Sequence, residues 1–500
     1  MAPARKINRR EFVGSAALAS MAFTIVPRHV VGGTGYVAPS DKLNLAYIGC
    51  GTQGMREMVG LIANPKLQIT SVCDPNKLST NYIDWSPYGI RNSIRKALGD
   101  DSWGANFNGI MGGRDVGHDF VTKYYAKNKP SGKYKWCQSY EDFRELLEKE
   151  TDIDAVKVMT PDHLHATVSI AAMKKGKHVV IHKPIANRMY ETKLTIDTAR
   201  KTGTSTHLLA WSKRSGNDLV KKWIDEGAIG NLKEIHNWSY RPVWQQWTQN
   251  PAETQPVPDG FNWNLWLGPV PDRPYHQNYT HCVFRGWYDF GGGSIADMGH
   301  YSLWPLFLTL GVKTPAYSAE AYGTTTRTTV DGVSKAVIND VAFPYSSIVR
   351  FKFAKQETLP AFDLFWYDGG MKPPTPEELE VDGKDMPQEG MMFVGDKGKI
   401  LAEFRCENPV LLPEARMKSY LAGKPAPEET TVRGDDVWID AFQSKTQFLY
   451  AGAISETINL GAVALQAGKR VVYDSAKMEI TNDAEANKFL RREYRKGWEL

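Results

Sequence analysis

The stretch Leu45-Ala46-Tyr47-Ile48-Gly49-Cys50-Gly51-Thr52-Gln53-Gly54 constrains this chain more than any other. A short apolar run breaks into Gly-x-Gly-x-x-Gly, and a helical pattern follows over 55–61. In such a unit the first glycine makes the tight turn and the second lets backbone approach a pyrophosphate. The third lets the helix pack close to the strand, and the helix N-terminus offers unclaimed N–H groups to phosphate. A second strand, 67–73, ends at Asp74, 25 positions after Gly49. An acid at about this distance is expected to hold the ribose hydroxyls of an adenosine. Gly49, Gly51, Thr52, Gln53, Gly54 and Asp74 are therefore candidate cofactor contacts. The acid points to NAD in preference to NADP, because its charge repels a 2′-phosphate.

Five hundred residues exceed one ordinary core, so at least two domains are expected. The formal charge of +5 is concentrated at the N-terminus, where Arg5, Lys6, Arg9, Arg10 and Arg28 face only Glu11. The remainder is close to neutral and gives no electrostatic argument for a nucleic-acid partner. Five scattered cysteines without a C-x-x-C pair form neither a disulfide framework nor a zinc site. Arg9-Arg10 precede a short apolar run over 13–26. That pattern predicts a twin-arginine export signal over 1–33, hence a periplasmic location, with retention as a membrane anchor the alternative to cleavage. No integral membrane domain is expected.

Past Asp74, residues 79–135 read as an insertion rich in Gly, Asn, Asp and aromatics, with a long irregular loop at 99–113. Such an insertion suits a lid, an arm or a subunit contact. A capped helix is expected from Ser139 to Leu147, then a strand over 155–159. The strand runs into Thr160-Pro161-Asp162-His163-Leu164-His165, with a helix over 166–175. This loop lies at the carboxyl edge of the sheet, where nucleotides bind. His163 and His165 without a carboxylate cluster make a poor metal site, so capping and cofactor contact are the expected roles and no metal is expected. The strand 178–181 delivers His182-Lys183-Pro184, placing a lysine where it reaches both nicotinamide and a substrate hydroxyl.

The glycine motif, Asp74, Thr160-Pro161-Asp162-His163-x-His165 and Lys183-Pro184 together resemble the Gfo/Idh/MocA oxidoreductase family. The resemblance runs from about Lys42 to Leu500. It implies an α/β architecture: an N-terminal Rossmann dinucleotide-binding domain and a C-terminal α+β domain with a large open, mainly antiparallel sheet. It also implies a cofactor site that includes Thr160, Pro161, His163, His165, His182, Lys183 and Pro184. The family's lysine usually sits in Glu-Lys-Pro; here it follows His182.

The resulting partition is 42–210 for the Rossmann domain, with its insertion, and 211–500 for a substrate-binding and oligomerisation domain. The last Rossmann strand is read at 207–211, and a helix at 219–226. Alternating strands are expected at 232–240, 336–343, 346–354 and 391–402, the last containing a hairpin turn at Gly395-Asp396-Lys397-Gly398. Such a sheet would face the site on one side and a second subunit on the other, giving a homodimer or homotetramer. Helices are expected at 450–465 and 484–500, packing back on the first domain.

Seven of the fifteen tryptophans fall between 238 and 304. Any single one is better explained by packing, yet the cluster suits the apolar faces of a carbohydrate. Trp211, Arg214 and Trp287 are candidate substrate contacts. Gly291-Gly292-Gly293 opens a helix that would set Asp297, His300 and Tyr301 on one face by i, i+3, i+4 spacing. The segment is similar to the family's glycine-rich stretch, where the histidine often follows the aspartate by four. Here that place is Tyr301, so either His300 moves the proton from a shifted angle, or Tyr301 and Lys183 do so.

The function expected is NAD-dependent oxidation of a secondary hydroxyl of a sugar, glycoside or cyclitol, with a tightly held cofactor. Lys183 would orient the hydroxyl, His300 accept its proton and Asp297 hold substrate or base. A second reading keeps the site but makes the net reaction a glycoside cleavage through transient oxidation at C3, elimination and hydration. A third, of another class, is a sugar-binding or scaffold protein without turnover.

Overall fold

A computed structural model describes residues 42–128, 136–208, 213–424, 431–432, 438–439 and 451–500. The export segment 1–33 and Trp211 lie outside them.

The first half builds a six-stranded parallel sheet. Its strands are β1 Leu43–Ile48, β2 Leu67–Cys73, β3 Gln138–Tyr140, β4 Ala155–Val158, β5 His178–Ile181 and β6 Thr206–Leu208. They lie in the order β3-β2-β1-β4-β5-β6. The order reverses between β1 and β4, so their carboxyl ends open a crevice between two diverging βα turns. Helices α1 Thr52–Leu61, α2 Gly89–Leu98, α3 Arg114–Asn128, α4 Phe143–Lys149, α5 His165–Lys174 and α6 Met189–Thr202 complete this half. β2 and β4 are buried along their whole length, as strands covered on both faces must be.

Several boundaries differ from the sequence reading for local reasons. The insertion holds two helices, α2 and α3, which flank the irregular stretch 99–113; the described residues 79–88 before them are irregular as well. Ser139 lies in β3 rather than at a helix cap. Asp142 takes the cap instead, its side chain accepting from the N–H of Arg144 at 2.9 Å.

The second half forms a nine-stranded sheet. Its strands are β7 Leu232–Trp238, β8 Ser318–Gly323, β9 Ser347–Phe353, β10 Phe362–Tyr367, β11 Gly390–Gly395, β12 Lys399–Ala402, β13 Val410–Leu412, β14 Val471–Asp474 and β15 Glu479–Ile480. The order is β13-β12-β11-β7-β10-β9-β8-β14-β15. Every pairing is antiparallel except that of β10 with β7. Strand β9 alternates buried and half-buried residues, the signature of a sheet with one face covered. Helices α7 Ser215–Asp225, α8 His300–Leu310 and α9 Gly452–Ala467 belong to this half, with α9 packed on β8 and β9.

Two expected elements are absent where they were placed. The strand read at 336–343 ends at Val337, as the second arm of a hairpin Thr326–Val330/Val333–Val337. The chain then bends so that Ala342 bridges Trp287. The carboxyl end is not helical beyond a 3₁₀ turn at Glu485–Leu490. It runs as a tail held by side chains. Arg492 reaches the buried Glu191 on α6 and the carbonyl of Asp289. Trp498 receives the guanidinium of Arg144 over its ring at 4.5 Å.

Candidate active site

The glycine turn has the geometry its residues require. Gly49 has φ +104°, and a Cβ there would lie 2.5 Å from the backbone of Met159 at the end of β4. A Cβ on Gly54 would sit 2.3 Å from the carbonyl oxygen of Gly49, so α1 approaches β1 only without a side chain. Gly51 caps α1 in an extended conformation without a side-chain cap, leaving the first N–H groups of the helix for a ligand. Asp74 braces the turn from β2. Its Oδ2 accepts from the N–H of Cys50 at 2.7 Å and its Oδ1 from that of Asn76 at 2.8 Å. Burial pushes this carboxyl up to about 6, against the two N–H donors and Arg114.

These elements wall a cavity of about 820 Å³. Gly49, Gly51, Thr52, Gln53, Gly54 and Asp74 line it, with Thr160, Pro161, His165, His182 and Lys183 from the later turns. The set fits a dinucleotide: backbone and helix terminus for the phosphates, an acid for the ribose, and a lysine at the far end. The cavity's opposite wall comes from the second half of the chain, through Phe261, Trp266, His281 and Arg285.

Two of the expected cofactor contacts do not reach it. His163 is fully buried with Nε2 against the carbonyl of Trp266 at 2.8 Å, and burial holds its ring neutral down to about pH 3. It ties the β4 turn to the second half instead. Pro184 gives its carbonyl to Nδ1 of His165 at 2.6 Å, while Nε2 of that ring faces the carbonyl of Thr160 at 2.8 Å. One imidazole thus spans the two cofactor-facing loops.

A second cavity, of about 1060 Å³, shares Thr52, Gln53, His182, Lys183, Cys282 and Arg285 with the first. Lys183 is therefore in the common wall. Its Nζ lies 2.6 Å from Oδ1 of Asp297, and Nε of Arg285 lies 3.1 Å from the same oxygen. Burial lowers the Lys183 ammonium from its ordinary range, with Asp297 opposing. Burial also disfavours the charge on Asp297, but Lys183 and Arg285 outweigh it and hold the carboxyl low. Asp162 lies nearby, accepting from the N–H of Gly292 at 3.1 Å and pushed up to about 6 by burial.

Tyr301 lines this cavity and its hydroxyl lies 3.1 Å from Nε2 of His182. On the other side of that ring, Nδ1 lies 3.1 Å from Glu57 of α1, whose second oxygen is 2.8 Å from the buried Lys157 of β4. Burial opposes ionisation of Glu57, yet Lys157 and His182 keep it well below the usual carboxylate range. The carboxylate on the Nδ1 side of the ring favours a proton there, which leaves Nε2 facing the Tyr301 hydroxyl. Burial raises the Tyr301 phenol, so it holds its proton.

His300 does not join them. The glycine run leads into a π-helical turn, Ile295–Gly299, before α8 begins. The wider turn breaks the i, i+3 phase of an α-helix, keeping Asp297 and Tyr301 at the cavity and rotating His300 into the core. Its ring is fully buried, with Nδ1 donating to the carbonyl of Ala296 at 3.0 Å and Nε2 without a partner. Burial holds it neutral down to about pH 3. Arg214 is also displaced, paired with Glu407 at 2.8 Å. Trp287 is buried in an aromatic cluster and donates to the carbonyl of Asn278 at 2.7 Å. Trp238, Trp247, Trp263, Trp266, Trp287 and Trp304 pack into apolar clusters, and Trp266 also lines the first cavity. The ring at the second cavity is Trp85, from the insertion.

Sequence reasoning missed Glu57, Trp85, Arg241, Arg285 and Arg405 as site residues. Only Glu57 left a trace, since it sits one helical turn past Gln53 on α1.

Among the described residues, no group of three or more His, Cys, Asp or Glu side chains could hold a metal ion, and no helix is long and apolar enough to cross a membrane. The crevice and its glycine turn define an NAD-binding Rossmann fold. A model described as "Oxidoreductase family, NAD-binding Rossmann fold" matches residues 123–208. One described as "Oxidoreductase family, C-terminal alpha/beta domain" matches 217–326 and 373–500. Together these span more than half of the sequence, and the chain belongs to the Gfo/Idh/MocA oxidoreductase family. A levoglucosan dehydrogenase of Pseudarthrobacter phenanthrenivorans is 37% identical over 116 residues, 23% of this chain and 28% of the relative. A glycosyl hydrolase family 109 protein of Shewanella pealeana is 24% identical over 243 residues, 45% of this chain and 44% of the relative. The chain thus matches less than half the length of these curated relatives. The WlbA dehydrogenase of Chromobacterium violaceum, solved with NADH and UDP-GlcNAcA, superposes with a TM-score of 0.51 at 16% identity. That superposition covers 87% of this chain and 96% of the other and speaks for the fold.

Proposed function

We propose that the protein is an NAD-dependent oxidoreductase acting on a secondary hydroxyl of a sugar, glycoside or cyclitol. One observation carries the reading: Lys183 stands in the wall common to the two cavities, with Asp297 on one side and the Tyr301–His182–Glu57 chain on the other. A nicotinamide, when bound, supplies the hydride acceptor. Lys183, pinned by Asp297, donates to the hydroxyl oxygen and lowers its pKa. Tyr301 takes the hydroxyl proton as its own passes to Nε2 of His182, and the imidazolium so formed faces the carboxylate of Glu57. Glu57 thus stands beside His182, the residue that occupies the position where the family resemblance leads one to expect a glutamate.

The cofactor crevice is closed at the adenosine end by main chain. The N–H of Lys77 donates to the carbonyl of Gly260 at 2.8 Å, and that of Asn262 to Pro75 at 2.9 Å. The ring of His281 lies 3.8 Å from that of Tyr82. This closure supports a tightly held nucleotide. It also favours the second reading, glycoside cleavage in which the hydride is returned to the sugar after loss of the aglycone and addition of water, because such a cycle needs no exchange of cofactor. The glycosyl hydrolase relatives support the same alternative. Half-buried Ile348, Phe365, Val394 and Leu401 on one sheet face support self-association.

The experiment is to denature the purified full chain, assay released nucleotide by mass spectrometry, and incubate the native protein with sugars and aryl glycosides. Keto-sugar with reduced nicotinamide supports the dehydrogenase, and free aglycone with unchanged nicotinamide supports the glycosidase. Sugar binding with neither product overturns both and leaves a binding protein.

A further inference from the structure

The second cavity holds more positive charge than its own carboxylates neutralise. Arg56, Lys183, Arg241, Arg285 and Arg405 line it, against Glu57, Asp84 and Asp297. Arg56 pairs with Asp84, and Glu57 is engaged by Lys157 and His182. Asp297 already serves both Lys183 and Arg285. Arg241 and Arg405 remain. Among the described residues, neither has a carboxylate within ion-pair distance.

Their settings show what is missing. Nε and Nη1 of Arg241 are buried without an acceptor, and its guanidinium lies 4.5 Å over the ring of Trp85 and 5.3 Å from that of Tyr240. The guanidinium of Arg405 lies 5.1 Å from the ring of Tyr301. Both arginines also line a shallower recess beside Met298 that contains Glu389, Glu403 and Glu407. Glu407 is paired with Arg214, while Glu389 and Glu403 accept from Ser239 and Asn408 and form no ion pair with either arginine. Buried N–H groups without acceptors carry a desolvation cost that an incoming anion removes. Two guanidinium forks, oriented by aromatic planes, match the paired oxygens of a carboxylate or phosphate.

We infer that the substrate of this site carries an anionic substituent, a carboxylate or a phosphate, received by Arg241 and Arg405 while its reacting hydroxyl faces Lys183 and Tyr301. The inference rests on the oxidoreductase reading and names the substrate class within it: an acidic sugar. The rings of Trp85 and Tyr301 then orient the two anion receptors, Arg241 and Arg405, within the cavity they line.

The test measures binding of D-glucuronate, D-glucose 6-phosphate and D-glucose to the full chain with NAD, by calorimetry, in wild type, Arg241→Met and Arg405→Met. At least one acid is expected to bind roughly tenfold or more tightly than glucose, an advantage that shrinks with salt and falls by roughly tenfold in either variant. Arg405→Lys, keeping the charge but not the fork, retains the salt dependence and part of the preference. The preferred acid tells carboxylate from phosphate. No acid bound more tightly than glucose, or a preference intact in both methionine variants, overturns the inference. Hydride transfer is scored separately by the absorbance of reduced nicotinamide. Acid-selective binding without it counts against the oxidoreductase reading and leaves the anion receptor standing.

Discussion

The cofactor cavity has one wall of glycines and turn residues from successive βα units and an opposite, largely aromatic wall from the second half of the chain, whereas the second cavity is lined by long charged side chains. The first positions a ligand through glycine geometry and a helix terminus. The second does so through charges that balance one another across long sequence separations, as Glu57 does with His182 and Lys183 with Asp297. A backbone site is specified by short motifs. A site of charged side chains from distant segments exists only after the two sheets have been brought together, and its paired members lean on one another. Lys183 belongs to both, which is why it is the place to separate them.

The largest expected effect is at that shared residue. Lys183→Met should cut turnover on the order of a thousandfold or more while the protein still retains or binds nucleotide. Single-turnover rates beside nucleotide titration check this, and loss of nucleotide binding as complete as loss of turnover would merge the two cavities into one functional unit. Tyr301→Phe comes next. Removing one proton carrier should lower turnover about a hundredfold with a smaller change in KM. A matching loss in Glu57→Gln, not additive with the first, would show that the chain from Tyr301 through His182 to Glu57 acts as a unit. An unchanged rate in Tyr301→Phe would return the proton transfer to Lys183 alone.

Gly49→Ala tests the backbone site. With φ +104° and Met159 main chain 2.5 Å from a new Cβ, the variant should lose about 1–3 kcal/mol of stability and much of its nucleotide affinity. Thermal melting with and without NAD measures both, and a wild-type response to NAD would show that the turn is not the phosphate cradle.

The smallest effect, taken per pH unit, concerns His300. Its folded-state pKa is about 3 against an ordinary 6.5. The unfolded chain therefore binds more protons in between, and stability from keeping this ring neutral is full above pH 6.5 and is lost as pH falls towards 3. The slope is about 1.4 kcal/mol per pH unit. Asp74 and Asp162, pushed up to about 6, act in the opposite sense between their ordinary range and that value. A comparison isolates the histidine: the stability gap between wild type and His300→Asn should narrow as pH falls from 6.5. A constant gap would mean that the ring does not titrate from a buried neutral state.

Most of the fold is legible in the sequence. The Gly49–Gly54 turn, Asp74 and Lys183 were readable because each depends on a few neighbouring residues and on the period of one strand or helix. Where the reading departed from the structure, a nonlocal or geometric term won. The 484–500 segment has helical composition, yet Arg492 and Trp498 gain more from partners on α6 and α4 than from a helix of their own. The spacing of Asp297, His300 and Tyr301 assumed an α-helix, and the π turn at Ile295–Gly299 re-aimed the histidine.

The sequence by itself determined the parallel sheet, the glycine cradle and the lysine at its edge, because these follow from chain-local sterics and hydrogen bonding. Only the tertiary structure decided the proton partners of Tyr301, the burial of His300, and which arginines stand without a carboxylate. Those depend on which residues from α1, the insertion, the 285–301 segment and the 241 and 405 loops meet in one cavity, and no spacing along the chain encodes which charges meet across it.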